Sequence, residues 1–190
     1  MHIYSKMKKQ IQKIIEIPEG HTLELQNKTI IIKKGAEEIK KSYKINGITA
    51  KVEGNKLIIE KANSNKNDKK LIHSLVSHIK NAIHGLDKKY EYKLQICSIH
   101  FPMNVKVEKN ELIIKNFFGE RKDRIIEINP KVSIKVENDI ITLEASDKEV
   151  AGQEASKLEG LTRITARDRR VFQDGLWIIK KEKGTHAKKH

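Results

Sequence analysis

The chain has 190 residues, 39 of them Lys or Arg against 25 Asp or Glu, for a net charge of +14. That length suits one large or two small domains, and it can bury enough surface to fold without metal or disulfide. Its single cysteine, Cys97, excludes an internal disulfide framework and points to a reducing compartment, and no apolar run approaches the ~20 residues of a membrane span.

The first thirteen residues carry Lys6, Lys8, Lys9 and Lys13 but no apolar core, which is not the pattern of a signal peptide. Leu23 to Lys33 reads as an alternating strand, a polar turn and a second apolar strand. Lys51 to Ala62 reads as a hairpin about Gly54-Asn55, residues that tolerate positive φ. A helix follows, with Asn67-Asp68 as its cap and Leu71, Leu75, Ile79 and Ile83 recurring every four residues. Gly85 to Lys88 ends it and acts as a hinge too short for a flexible linker, which predicts a fixed relation between the parts on either side. Tyr90 to Ile99 alternates with period two and predicts a long strand.

From here the pattern repeats. Val105 to Lys115 lies beside Leu23 to Lys33 at an offset of 82 residues, and Lys135 to Ala145 lies beside Lys51 to Ala62, with Asn138-Asp139 at the turn. A second helix starts at the cap Ser146-Asp147, with Glu149 in its first turn and Val150, Ala151, Ala155 and Leu158 on a narrower apolar face. Two copies at so long a period mean duplication, since a solenoid needs three or more. The expected fold is α+β: two tandem, duplicated modules, each an antiparallel sheet packed with a helix. The expected domains are 1–86 and 87–183, followed by a basic tail at 184–190.

The charge is uneven. Residues 1–97 hold a net +10, residues 98–160 a net −2, and residues 163–190 a net +6. A general lysine excess accounts for the first stretch. It accounts poorly for the last, where Arg163, Arg167, Arg169 and Arg170 replace lysine. A dense basic end points to a polyanion, because Lys and Arg displace counterions condensed on phosphates.

The sequence offers no catalytic machinery. Its ten glycines are scattered singly and form no phosphate-binding loop. His73 and His78, five apart, diverge by about 140° around a helix, and His78 and His84 miss the i, i+4 spacing of a helical zinc site. Glu37-Glu38, Glu108 and Glu111 read as turn or solvent-face residues, and Cys97 has no basic neighbours to activate it. No catalytic residue, metal site, cofactor or small-molecule substrate is expected.

Two segments stand out. In Asn116-Phe-Phe-Gly-Glu-Arg121, adjacent aromatics on a strand face opposite ways, so one is buried and the other exposed or covered by a partner. Arg121, Lys122 and Arg124 then form either a partner-binding loop or an ordinary surface loop over packed rings. In Arg163 to Lys181, arginines interleave with Phe172 and Trp177, and Asp174-Gly175 turns the chain into a short apolar strand. Trp177 reads as core packing, while Arg guanidinium groups suit phosphate and aromatics suit bases.

With Ser98-Ile-His-Phe-Pro102, Glu149-Val-Ala-Gly-Gln-Glu-Ala-Ser156 and Asp168-Arg-Arg-Val-Phe-Gln-Asp-Gly-Leu-Trp177, these segments make the chain resemble the family of large ribosomal subunit protein number six, archaeal and eukaryotic branch. The departure is Phe118, where the resemblance leads one to expect leucine. The tail after Gly184 and the polar insert Asn63 to Lys66 look individual to this chain. The resemblance implies a non-catalytic, cytoplasmic constituent of the large ribosomal subunit. It implies binding to large-subunit ribosomal RNA near the sarcin–ricin loop, beside neighbouring ribosomal proteins and translation factors, with no membrane partner. Arg167, Arg169, Arg170 and Phe172 are carried over from the matched motif and the residues just before it. Arg163, Lys180, Lys181, Lys183, Lys188 and Lys189 are added from charge. Two other readings stay open: an RNA-binding chaperone or regulator outside the ribosome, and an enzyme acting on RNA.

Overall fold

The computed structural model of the chain describes residues 9–26, 28–43 and 47–181. Two compact units meet in sequence between Asp87 and Lys88. The predicted tail 184–190 lies outside the described residues.

In the first unit, β1 (Lys9–Glu16) precedes a meander of β2 (Thr22–Gln26), β3 (Thr29–Lys34) and β4 (Glu37–Ser42). The hairpin β5 (Thr49–Glu53) and β6 (Lys56–Ser64) then leads into α1 (Lys66–Asp87). All pairings are antiparallel and form two three-stranded sheets, β1-β6-β5 and β2-β3-β4. The hairpin turns at Gly54, whose φ of +56° is a left-handed conformation that costs glycine least. Alternation on the strands sends Ile15, Ile30, Ile32, Leu57 and Ile59 into one core with Ile72, Leu75, Ile79 and Ile83 of α1.

Two details of α1 differ from the sequence reading. The cap is Asn65: its Oδ1 accepts from the Asp68 amide at 2.8 Å, and the Asp68 carboxylate accepts from the Asn65 amide at 3.0 Å. This reciprocal box starts the helix earlier than Asn67 would. The apolar stripe runs through Ile72, Leu75, Val76, Ile79, Ala82 and Ile83, at spacings of three and four, and leaves Leu71 in solvent.

The second unit repeats the order. β7 (Tyr90–Cys97) opens it. The meander of β8 (Asn104–Glu108), β9 (Glu111–Lys115) and β10 (Arg124–Glu127) follows, then the hairpin β11 (Ser133–Glu137) and β12 (Ile140–Ala145), and α2 (Lys148–Leu161). An added strand, β13 (Gly175–Lys180), pairs antiparallel with β7, making a sheet of order β11-β12-β7-β13 beside β10-β9-β8. Asp147 caps α2, accepting from the Glu149 amide at 3.0 Å, as its sequence predicts. The core gathers Tyr90, Leu94, Leu112, Ile114, Phe117, Ile141 and Leu143 with Ala151, Ala155 and Leu158 of α2. The chain is therefore α+β and duplicated, with antiparallel sheets packed against one helix in each unit.

Candidate nucleic-acid interface

The segment between α2 and β13 has no regular structure of its own, so its shape depends on how its ends are tied. At the near end, the Thr162 hydroxyl donates to the Glu159 carbonyl at 3.2 Å and accepts from the Leu176 amide at 2.8 Å. The Glu159 carboxylate accepts from the Ile178 amide at 3.2 Å. Gly175 passes this clamp at φ +141°, and a Cβ there would stand 3.1 Å from the Thr162 hydroxyl, which is why the position is glycine.

The far end is held by Asp174, which is only 3% exposed. Its Oδ1 accepts from the Ile99 and His100 amides at 2.8 and 2.9 Å, and its Oδ2 lies 2.5 Å from His100 Nδ1. Burial pushes the carboxyl pKa up, but the bonds from the His100 amide, the His100 ring and the Ile99 amide outweigh it and hold the group below its ordinary value. The carboxylate thus takes up the amides that a continued strand would use. That is why β7 stops at Cys97, short of the Ile99 that alternation suggested. Burial raises the Cys97 thiol pKa, with Asp174 and Asp139 adding to the shift, so the thiolate is disfavoured.

Bonded at both ends, the loop presents its arginines on rings. Arg167 lies over Phe172 and Phe118, at 5.0 and 5.4 Å from the centroids, and Arg169 lies over Trp177 at 4.9 Å. Trp177 is half-buried and fixed by its indole N–H, which donates to the Gln173 carbonyl at 2.8 Å. Phe118 is the hub of the ring cluster, with centroids of Phe172, Phe101, His100 and Phe117 at 5.6, 5.8, 6.0 and 6.2 Å. Arg170 forks onto the Asp168 carboxylate at 2.9 and 3.1 Å and draws its pKa down. Arg163 and Arg169 line a groove of about 330 Å³ with Thr162, Asp174 and Trp177. A guanidinium resting on an aromatic face is partly desolvated and oriented, with its N–H fork still available to phosphate.

The other candidates are placed differently. Lys180 pairs with Glu91 at 2.6 Å, and Lys181 is exposed. Lys183, Lys188 and Lys189 lie outside the described residues. In the 116–124 segment the chain makes a 3-10 turn at Phe117–Gly119, not a strand, with Asn116, Phe118 and Gly119 all at positive φ. Phe117 is buried and Phe118 half-buried. Arg124 is turned inward: it stacks over Phe117 at 4.2 Å, forks onto Glu120 at 2.5 and 2.8 Å, and donates to the Leu161 carbonyl. Arg121 and Lys122 are exposed on this turn.

Sequence reasoning missed Asp174, read only as a turn residue, and His100, whose partner lies 74 positions away. No local signal could pair them. Among the described residues no group of three or more His, Cys, Asp or Glu could hold a metal, and no helix is long and apolar enough to cross a membrane.

Comparison with known proteins supplies the class. Residues 101–175 match the family model described as Ribosomal protein L6. Relatives named large ribosomal subunit protein uL6 align over almost the whole chain. The one from Methanococcus vannielii is 36% identical over 171 residues, covering 90% of this chain and 94% of that protein. Those from Methanocella arvoryzae and Saccharolobus solfataricus are each 38% identical, covering 88% of this chain and 95% and 93% of theirs. These matches define a structural ribosomal protein, not an enzyme. The chain belongs to the L6 family, with archaeal relatives.

Proposed function

We propose that the chain is a structural constituent of the cytoplasmic large ribosomal subunit. Its second unit binds large-subunit ribosomal RNA near the sarcin–ricin loop, where translation factors and neighbouring ribosomal proteins are close. The observation that carries this reading is the pair of arginines mounted on aromatic faces, Arg167 on Phe172 and Phe118, and Arg169 on Trp177. Structured RNA is recognised through phosphate, 2′-hydroxyl and shape, and such guanidinium groups meet a backbone in a fixed geometry without reading a sequence. Arg163, lining the adjoining groove, and the exposed Lys181 extend the same basic surface. Arg121 and Lys122 offer a second point of attachment, for which Arg124 serves as an internal brace.

The test is protection mapping of large-subunit RNA with the protein and with the triple variant Arg167→Glu, Arg169→Glu and Arg170→Glu. The wild type protects a discrete RNA patch and stays with the subunit through a high-salt wash. The variant loses both, and its salt dependence is shallower by about 2 to 3 in log–log slope, at ~0.7–0.9 for each phosphate no longer neutralised. Unchanged protection by the variant would discard the arginine surface. Release of the wild type in the wash would favour a chaperone or regulator outside the ribosome.

A further inference from the structure

The larger share of the net charge lies in the first unit, and α1 concentrates part of it on one side. At 100° per residue, Lys66, Lys69, Lys70, His73, Lys80 and His84 fall within about 100° of the helix circumference. That arc is centred about 130° around the helix from the stripe of Ile72, Leu75, Val76, Ile79, Ala82 and Ile83 that enters the core, and borders it along one edge. Lys66, Lys69, Lys70, His73 and His84 are exposed, and Lys80 is half-exposed. The side chains of Lys66, Lys69, Lys70 and Lys80 have no ion-pair or hydrogen-bond partner among the described residues.

The two acids of the helix are both engaged elsewhere. Asp68 holds Lys61 at 2.8 Å and the cap, and Asp87 holds Lys34 and faces His21 at 3.3 Å. Asp87 also acts on His84 at the end of the basic arc, but neither acid of α1 pairs with its four lysines. Three lysines near a helix start also oppose the macrodipole, which favours acids there, so local helix stability does not explain them. The duplicated helix shows the contrast: α2 carries Lys148 and Lys157 against Glu149, Glu154 and Glu159, whereas α1 carries Lys66, Lys69, Lys70 and Lys80 against Asp68 and Asp87. The same architectural position has been given opposite electrostatics.

We propose that the exposed face of α1 is a second, sequence-independent RNA-binding surface that follows the phosphate backbone of a duplex. From Lys66 to Lys80 the lysines span about 21 Å at 1.5 Å per residue, on the scale of several successive phosphates. Lysine ammonium groups on long stems suit this role, acting as mobile point charges without the fork that fixes arginine to one phosphate. The surface belongs to the first unit, and the inference does not depend on where the second unit binds.

The experiment uses the full chain at pH 7.5 in two backgrounds: wild type, and the Arg167→Glu, Arg169→Glu, Arg170→Glu variant. Into each, Lys66→Gln, Lys69→Gln, Lys70→Gln and Lys80→Gln are introduced together. Binding to an arbitrary 20-base-pair RNA duplex is followed by fluorescence anisotropy from 50 to 200 mM salt, and circular dichroism confirms that the fold is kept. In the arginine-variant background, residual duplex binding persists and the lysine changes weaken it sharply, lowering the log–log salt slope by about 3. Equal residual binding with and without the four lysines would overturn the proposal. So would a lysine-dependent signal seen only on vesicles rich in phosphatidylserine and not on RNA. Loss of duplex binding through the lysines while ribosomal RNA protection survives leaves both surfaces standing as separate sites.

Discussion

In the first module α1 rests on Ile72, Leu75, Ile79 and Ile83, whereas in the second α2 rests on Ala151, Ala155 and Leu158. Small residues bring α2 close to its sheet: a Cβ at Gly152 would lie 3.2 Å from the Tyr92 hydroxyl. From there the end of α2 reaches across to β13, with Thr162 and the Glu159 carboxylate bonding the backbone of that strand. The first module has no strand equivalent to β13 among its described residues, and its helix instead keeps a lysine-rich outer face. One layered plan has thus been specialised twice: by surface charge alone in one copy, and by an added strand and a braced loop in the other.

The largest expected effect comes from removing the brace. Asp174→Ala leaves the amides of Ile99 and His100 without their acceptor in a part-buried setting, and costs about 2–3 kcal/mol. The chain has one tryptophan, and Trp177 lies on β13, so its fluorescence during urea unfolding reports on the affected module. The milder Asp174→Asn tests the charge. Because the folded carboxyl sits below its ordinary value, its stabilisation is fully present above the unfolded value of about 3.9 and fades as pH falls through the folded one. Asp174→Asn therefore unfolds more easily at pH 7 and loses less stability than wild type between pH 5 and pH 2. An unchanged acid profile would mean that the brace is neutral.

Next in size is Gly175→Ala. The φ of +141° is closed to alanine without strain, and the new Cβ would meet both the hydroxyl and the carbonyl of Thr162. A cost of about 1–2 kcal/mol is expected, read again from the Trp177 transition. The first module is the control: Gly54→Ala meets nothing within 4 Å, so only its backbone strain remains and the loss is smaller.

Local grammar made much of this visible in advance. The paired hairpins, the cap at Asp147 and the 82-residue offset follow from turn residues and period-two alternation, which act over a few positions. The third meander strands did not show. β4 reads Glu-Glu-Ile-Lys-Lys-Ser, and only Ile39 and Lys41 turn inward, so composition argues for a loop until β3 provides a partner. β10 has just four residues and exposes Ile125. The braced loop was legible as arginines and aromatics, but its geometry was not. Asp174 finds His100 across 74 positions and Arg124 finds Leu161 across 37, and such pairings belong to the folded chain alone.

The smallest expected effect falls on Phe118, where the family resemblance leads one to expect leucine. Its ring packs among those of Phe172, Phe101, His100 and Phe117 and lies under Arg167, so Phe118→Leu removes the hub while keeping an apolar side chain of similar reach. Arg167 retains Phe172 at 5.0 Å, so the cation–π attraction that Phe118 supplies is worth about 0.5–1 kcal/mol. Stability should fall by less than ~1 kcal/mol, and RNA affinity by about two- to fivefold, since about 1.4 kcal/mol is a factor of ten. The salt slope should stay the same, because slope counts phosphates neutralised and the guanidinium is still present. Arg167→Gln should do the reverse, lowering the slope by nearly one with little change in stability. If Phe118→Leu altered the slope as well, the ring would be setting whether Arg167 reaches phosphate at all, and the aromatic platform would be part of the binding site, not its support.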